Sequence, residues 1–250
     1  MSGHSKWSQI KRQKGVADAR RGQLFTKFTR EITVAVRQGG SNPEANFRLR
    51  LAIQKARDNN MPLENIERAI KRASGAVEAA SYAEFTLEVY GAHGVAILVQ
   101  VMTDNRNRAI QEVRGVLTHR GGSLGESGSV AWLFEQHGVI TIEISDETAE
   151  DLALAAIDVG AEDVNVGKGY LEIYTQPQSL EEVRRAIENE RKVVSAELSW
   201  MPKSTVMLDE KASIQTLKLL DQLEELDDVQ RVFSNIDFSE AVLERLSSQT

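Results

Sequence analysis

The spacing of the apolar residues changes once along the chain, near residue 80. Before that point apolar residues recur every three or four positions and predict helices over 24–36, over 45–58 and from Pro62 to Gly75. After it, short strand-like runs alternate with amphipathic helical segments. The chain is therefore expected to fold as a multidomain α+β protein that begins with a helical bundle.

The clearest order of elements lies between residues 139 and 199, where a strand, a helix, two strands, a helix and a strand follow one another. This βαββαβ series is typical of the ferredoxin-like fold. The flanking segments supply a ββαβ half, with a predicted strand at 130–134, and a βαβ half. We interpret them as a second ferredoxin-like α+β domain into which the βαββαβ unit is inserted. The predicted domains are 1–80, then 81–137 together with 203–250, and the inserted unit 138–202.

The charges are distributed very unevenly. Residues 1–75 contain 16 of the 30 lysines and arginines but only 6 of the 37 acidic residues, which gives this segment a net charge of +10. The remainder has a net charge of −17, and the whole chain has −7. A basic block attached to an acidic body indicates a module that faces a polyanion such as nucleic acid. The alternative is that the basic helices only present solvated surfaces.

Cations accompany the apolar stripe of every predicted helix in the first domain, and four more lie in the opening segment 3–15. Lysine and arginine contacts to phosphate supply affinity without reading sequence. Trp7 can either stack on a base or anchor its segment on the helical core, and the second interpretation is favoured because tryptophan is usually well buried. The predicted nucleic-acid-binding residues are Lys6, Trp7, Lys11, Arg12, Lys14, Arg20, Arg21, Lys27, Arg30, Arg48, Lys55, Arg68, Lys71 and Arg72.

The segment 58–62, with the sequence DNNMP, separates the second and third predicted helices. It is compatible with the turn of a helix-turn-helix motif, which would direct Arg68, Lys71 and Arg72 towards a groove. A simple helical hairpin has the same pattern. The sequence therefore predicts a basic hairpin but gives no support for base-specific recognition.

The segment 103–109, with the sequence TDNRNRA, begins another predicted helix. Thr103, Asp104 or Asn105 can cap that helix by accepting from its free backbone amides. Arg106 and Arg108, however, lie near the positive end of the helix dipole, which is an unfavourable position for cations. Helix capping and a secondary nucleic-acid contact through these two arginines both remain open.

Residues suited to catalysis are scarce. The chain has no cysteine, its four histidines are scattered, and no HExxH or GxSxG motif occurs. We interpret the acidic group at 146–151 as a helix N-terminus, and that at 224–228 as the end of a helix followed by a solvated loop. The glycine-rich segment 121–128 lacks the ending of a phosphate-binding P-loop and is interpreted as a mobile loop.

These observations predict a protein that is not an enzyme and that uses no cofactor, no metal and no small-molecule substrate. No apolar run approaches the length of a membrane span, so a membrane partner is not expected. A chain without cysteine is suited to the reducing cytoplasm, which is the predicted location.

Several long motifs occur in the order expected of one known family. They are GHSKWSQIKRQKGVADARRGQLFTKFTREI, NMPLENIERAIKRASG, TDNRNRA, GGSLGESGSVAWLF and LDDVQRVFSNID. The chain thereby resembles the YebC/PmpR family, which includes relatives of the mitochondrial translational activator of cytochrome oxidase subunit I. The resemblance implies a basic helical domain and two α+β domains. It also implies a DNA-binding transcriptional regulator or, as the alternative, a ribosome-associated translation factor that binds ribosomal RNA.

Overall fold

The structure, a computed structural model, describes residues 18–75, 81–144, 149–167, 169–189, 191–238 and 242. They form two compact units. The first unit contains the described parts of 1–34, 75–135 and 201–250, and the second contains those of 35–74 and 136–200. No helix within the described ranges is long and apolar enough to cross a membrane.

The three predicted N-terminal helices are present as α1 (Asp18–Gly39), α2 (Phe47–Asp58) and α3 (Leu63–Ser74). Gly40 follows the last turn of α1 with a φ of 84°, a left-handed conformation that ends the helix. Asn46 then links the end of α1 to the start of α2. Its side-chain amide donates to the carbonyls of Ala35 (2.8 Å) and Gly40 (2.7 Å), and its Oδ1 caps α2 by accepting from the amide of Leu49 (3.0 Å).

The first unit is built on a four-stranded sheet. Strands β1 (Ala83–Tyr90) and β2 (Ala96–Thr103) form its antiparallel centre, β3 (Ser123–Leu124) pairs with β1, and β9 (Val229–Ser234) pairs with β2. Helices α4 (Arg106–Arg120) and α7 (Glu210–Glu224) share its core. The fully buried side chains of Val99, Val113 and Leu220 illustrate this packing.

The connectivity of this first sheet differs from βαββαβ, because both central strands are neighbours in sequence and are joined by the short segment 91–95. A short parallel pair, β8 (Val206–Met207) with β10 (Ile236–Asp237), completes the unit. The unit therefore has the two helices and four antiparallel strands of a ferredoxin-like layer with a rearranged chain path.

The second unit contains the predicted βαββαβ series, and its fold is confirmed. The series runs β4 (Phe134–Glu143), α5 (Ala149–Asp158), β5 (Asp163–Gly167), β6 (Tyr170–Thr175), α6 (Leu180–Glu188) and β7 (Val193–Pro202). The sheet order β5-β6-β4-β7 places the first and third strands of the series in the centre, as in a ferredoxin-like domain. Ile140, Ile173 and Leu180 are fully buried in its core.

Helix α2 packs on this second sheet. Phe47 and Leu51 contact its core, and Arg50 forms an ion pair of 3.2 Å with Glu181 of α6. Residues 35–74 accordingly cluster with 136–200. A boundary between the two compact units thus follows Val34, within the predicted 1–80 domain. The bounds of the three predicted domains stay a prediction.

The predicted strand at 130–134 is wrong. Residues Ala131–Leu133 form a 3₁₀ helix, and the strand begins only at Phe134. The amides of Val130 and Ala131 both donate to Glu88 Oε2 at 2.7 Å, so they are not available to a neighbouring strand.

Candidate nucleic-acid interface

Six of the predicted contact residues give no side-chain geometry. Lys6, Trp7, Lys11, Arg12 and Lys14 lie outside the described residues. Arg20 lies in the first turn of α1, where only the backbone is described. The basic opening segment therefore stays a prediction, and the described site is assembled from the cations that follow it.

Arg21 is exposed on α1, whereas Lys27 and Arg30, which were predicted to bind nucleic acid, make internal contacts. Lys27 is 8% exposed, and its ammonium donates to the carbonyl of Glu224 at 2.5 Å. The Arg30 side chain is 14% exposed and donates to the carbonyl of Asp227. Both cations therefore stabilise the carbonyl-rich C-terminal end of α7, where positive charge is favourable.

Asp228 shows that the predicted solvated acidic loop at the end of α7 is also partly wrong. This residue is 2% exposed, although its neighbour Asp227 is exposed. Its carboxylate accepts from Thr103 Oγ1 at 2.8 Å and from Arg108 at 2.8 and 3.2 Å, and lies 3.1 Å from Arg30. We refer to Arg30, Thr103, Arg108 and Asp228 as the Asp228 cluster. It joins α1, the end of β2 and the start of α4 within the first unit.

The Asp228 cluster and its surroundings account for the arginines of TDNRNRA. Asn105 caps α4 by accepting from the amide of Arg108 at 3.1 Å, so the capping alternative is realised. The hydrogen bonds that Arg108 donates to Asp228 (2.8 Å) and to Asp104 (2.7 Å) raise the pKa of its guanidinium further above its already high usual value. Arg106 lies with its guanidinium carbon 4.1 Å from the centroid of the Phe85 ring. The unfavourable dipole position of Arg108 is thus offset by internal anions.

The glycine-rich segment 121–128 is hydrogen-bonded to β1 and contains β3, so its interpretation as a mobile loop is wrong. Gly128 donates to Glu88 Oε1 at 2.6 Å, and Gly125 donates to the Glu88 carbonyl at 2.8 Å. Burial opposes ionisation of Glu88, but the amides of Val130, Gly128 and Ala131 outweigh burial and lower its pKa. These amides, which could otherwise attract an external anion, already bind an internal carboxylate.

The hairpin of α2 and α3 presents the remaining predicted cations, and its turn has a defined geometry. Asn60 adopts the left-handed conformation with a φ of 59°. Its amide donates to the carbonyl of Arg57, and that of Met61 donates to the carbonyl of Ala56, both at 2.9 Å. This pattern is a Schellman motif, which ends α2, and the buried side chain of Met61 secures it. Pro62 then precedes the first residue of α3.

Helix α3 buries one face and exposes cations on the other. Ile66, Ala69 and Ala73 are buried, whereas Arg68, Lys71 and Arg72 are exposed. Residues three and four apart lie on the same side of a helix, so these three cations form one group, which we call the α3 cation group.

No described residue forms an ion pair or hydrogen bond with a side chain of the α3 cation group, although Glu64 and Glu67 lie four residues before Arg68 and Lys71. On α2, Arg48 is half-buried and donates to Gln38 at 2.6 Å, and Lys55 is also half-buried. Arg57 is exposed as well, and its position at the end of α2 could have been read from the helical spacing.

In the described ranges, no group of three or more histidine, aspartate and glutamate side chains could hold a metal ion.

The fold and the site define a class: a multidomain α+β protein with antiparallel sheets and a basic helical hairpin near its N-terminus. The family model of the TACO1/YebC protein N-terminal domain matches residues 5–76, and that of the TACO1/YebC second and third domain matches residues 82–236. The chain belongs to the TACO1/YebC family, and the predicted YebC/PmpR resemblance is confirmed.

The similarity extends over the full chain. A probable transcriptional regulatory protein of Dehalococcoides mccartyi is 57% identical over 250 residues, with complete coverage of both chains. Another protein with that description, from Halothermothrix orenii, is 47% identical over 253 residues, also with complete coverage of both. The crystal structure of a conserved hypothetical protein of Aquifex aeolicus superposes with a TM-score of 0.82 at 48% identity, and covers 89% of this chain and 93% of the other.

Proposed function

We propose that this protein is a non-enzymatic regulator of gene expression that binds DNA through the basic face of its α2–α3 hairpin, aided by the basic opening segment. The observation that carries the proposal is the α3 cation group, which is exposed and has no anionic partner among the described residues. Its relatives described as probable transcriptional regulatory proteins support a regulatory role.

The arrangement of charges suits binding to phosphate. Helix α3 has twelve residues and therefore extends about 18 Å, which is long enough to lie in or across a groove of a duplex. Its cations would meet phosphates, whereas the large acidic remainder of the chain, with a net charge of −17, would be repelled from them. The acidic body would thereby limit contact to the basic helices.

The described carboxylates with the strongest buried contacts have structural partners, which supports a role other than catalysis. Glu88 accepts from three backbone amides, and Asp228 pairs with two arginines. Neither lies as a free acid or base beside a substrate site. We expect the protein to act in the cytoplasm without a cofactor or small-molecule substrate.

The binding test compares two triple variants of the full chain. In the first, Arg68→Ala, Lys71→Ala and Arg72→Ala remove the α3 cation group, and alanine preserves helix propensity. In the second, Lys203→Ala, Lys211→Ala and Lys218→Ala remove the same charge from exposed positions elsewhere. The proposal predicts at least about tenfold weaker binding to duplex DNA for the first variant only. Equal losses in both variants would show that net charge alone matters and would contradict it.

The class of nucleic acid requires a second experiment, because phosphate contacts are the same in DNA and RNA. Crosslinking in cells followed by sequencing of the bound nucleic acid identifies the target directly. Reads from promoter DNA are the expected result. Reads that map to ribosomal RNA would instead assign the protein to translation, as the translation-factor alternative requires.

A further inference from the structure

Helix α5 of the second unit is apolar on two faces. Residues 152–157 are six consecutive apolar residues. Leu152 and Ala156 lie in the core, 6% and 0% exposed, whereas Leu154 and Ile157 are 67% and 44% exposed on the outer face. A surface helix usually has only one apolar stripe, and a helix that is apolar all round is covered on more than one side.

The outer face of α5 lies on a helix whose end is capped and whose inner face is buried. Gly160 ends the helix in a left-handed conformation with a φ of 103°. Its amide donates to the carbonyl of Ile157, and that of Ala161 donates to the carbonyl of Ala156, both at 3.0 Å. This Schellman motif fixes the C-terminal end of the helix, and the buried Leu152 and Ala156 anchor the helix on the core. A partner would therefore meet a helix backbone that is already formed, which lowers the cost of binding.

The apolar centre of this face has acidic ends. Asp151 lies three residues before Leu154, and Asp158 lies four residues after it, so all three occupy one side of the helix. Both aspartates are exposed, and residues 149–167 contain five acidic residues but no lysine or arginine. We refer to Asp151, Leu154, Ile157 and Asp158 as the α5 outer face.

A second copy of the same face is a poor occupant. Two α5 helices packed antiparallel would place Asp151 of one copy beside Asp158 of the other, and like charges in such positions are destabilising. A helix with apolar residues at its centre and lysines or arginines at its ends would satisfy both the apolar side chains and the aspartates. Charge complementarity therefore selects a basic partner over a second copy.

We infer that the α5 outer face binds a basic amphipathic helical segment of another protein. Leu154 and Ile157 fill the apolar side of the contact, and Asp151 and Asp158 pair with its cations. This interaction is separate from nucleic-acid binding by α3, because it uses neither the same helix nor the same charge. It gives the acidic body a role as an adaptor surface.

The test uses the full chain and fluorescent peptides of about 18 residues, long enough for five helical turns. One peptide carries leucine and lysine at helical spacing, and its counterpart has glutamate in place of lysine. At about 0.15 M salt, long-range attraction between exposed charges is largely screened, so the ion pairs made in direct contact decide the difference. Under these conditions we expect the basic peptide to bind at least tenfold more tightly than the acidic one. Equal binding of the two peptides would overturn the inference.

Two variants separate specific docking from general attraction to an acidic protein. Leu154→Ser with Ile157→Ser should weaken binding of the basic peptide at least about tenfold, because apolar anchors dominate such contacts. The control Met207→Ser removes a comparably exposed apolar side chain, 61% exposed in β8, and should leave binding unchanged. Unchanged binding in the double variant, or an equal loss in the control, would contradict the inference. So would a self-associated wild-type chain that the double variant converts to monomer, since a second copy would then cover this face.

Discussion

Replacing Asp228 by alanine removes the anion at the centre of the Asp228 cluster. The carboxylate is 2% exposed and is contacted by Arg30, Arg108 and Thr103. Its loss leaves the Arg30 guanidinium, 14% exposed, and the fully buried Thr103 without their acidic partner. Removal of one member of a buried ion pair typically costs 3–5 kcal/mol, because the remaining charge is buried without compensation.

We expect Asp228→Ala to lower the free energy of unfolding by about 3 kcal/mol, near the bottom of that range. The Arg108 side chain is 44% exposed, so water screens part of its contribution. Asp228→Asn keeps the shape and one acceptor oxygen but also removes the charge, so it should cost less than Asp228→Ala without restoring wild-type stability.

The assay is urea denaturation followed by circular dichroism, with the midpoint compared at constant slope. The matched control is Asp227→Ala, which removes an exposed carboxylate one residue earlier and should change stability by no more than about 0.5 kcal/mol. If Asp228→Ala behaved like this control, Asp228 would not anchor α1 and α4, and the argument for the Asp228 cluster would be refuted.

Three further predictions concern stability, each measured by the same denaturation assay. Glu88→Gln should lower the free energy of unfolding of the first unit, and this loss should shrink as the pH falls below the usual pKa of a glutamate. The fold lowers the pKa of Glu88, so its stabilising contribution is present above the unfolded pKa and is lost as the pH falls through the folded pKa. A loss that does not change with pH would contradict this. Asn46→Ala should lower the free energy of unfolding by about 1–2 kcal/mol, since Asn46 caps α2 and binds two carbonyls at the end of α1. A loss below a few tenths of a kcal/mol would show that the cap is dispensable. Asn60→Gly should stabilise the protein by about 0.5 kcal/mol, and Asn60→Val should destabilise it by about 1–2 kcal/mol. The reason is the left-handed φ of 59° at Asn60, which suits glycine and opposes a β-branched side chain. The reverse order of stability would be inconsistent with the Schellman turn.

Much of the fold follows from local periodicity in the sequence. Helices α1 to α3 and the βαββαβ series were predictable because each buries a face that its own spacing reveals. The 3₁₀ turn at 131–133 was not, since its amides are satisfied by Glu88, a residue more than forty positions earlier in the chain. A long-range acceptor of this kind leaves no trace in the local pattern.

The candidate site shows the same limit for charged residues. The pattern treats Lys27 and Arg30 as surface cations, because long basic side chains are rarely buried. In the fold they meet carbonyls and a carboxylate at the end of α7. The sequence did contain one signal for a buried ion pair. Arginines at the start of α4 need an anion nearby, and Asp228 is an acidic residue that immediately precedes the buried Val229. The exposure of the α3 cation group was predictable because its members lie away from the face that Ile66, Ala69 and Ala73 bury.

The salt dependence of DNA binding measures how many α3 cations contact phosphate. Each cation that meets a duplex phosphate adds about 0.9 to the slope of log affinity against log salt. Alanine at Arg68, Lys71 and Arg72 should therefore reduce the steepness of that slope by about 2.7 relative to wild type, while the Lys203, Lys211 and Lys218 variant keeps the wild-type slope. A wild-type slope in the α3 variant would show that these cations do not contact phosphate, and would contradict the account.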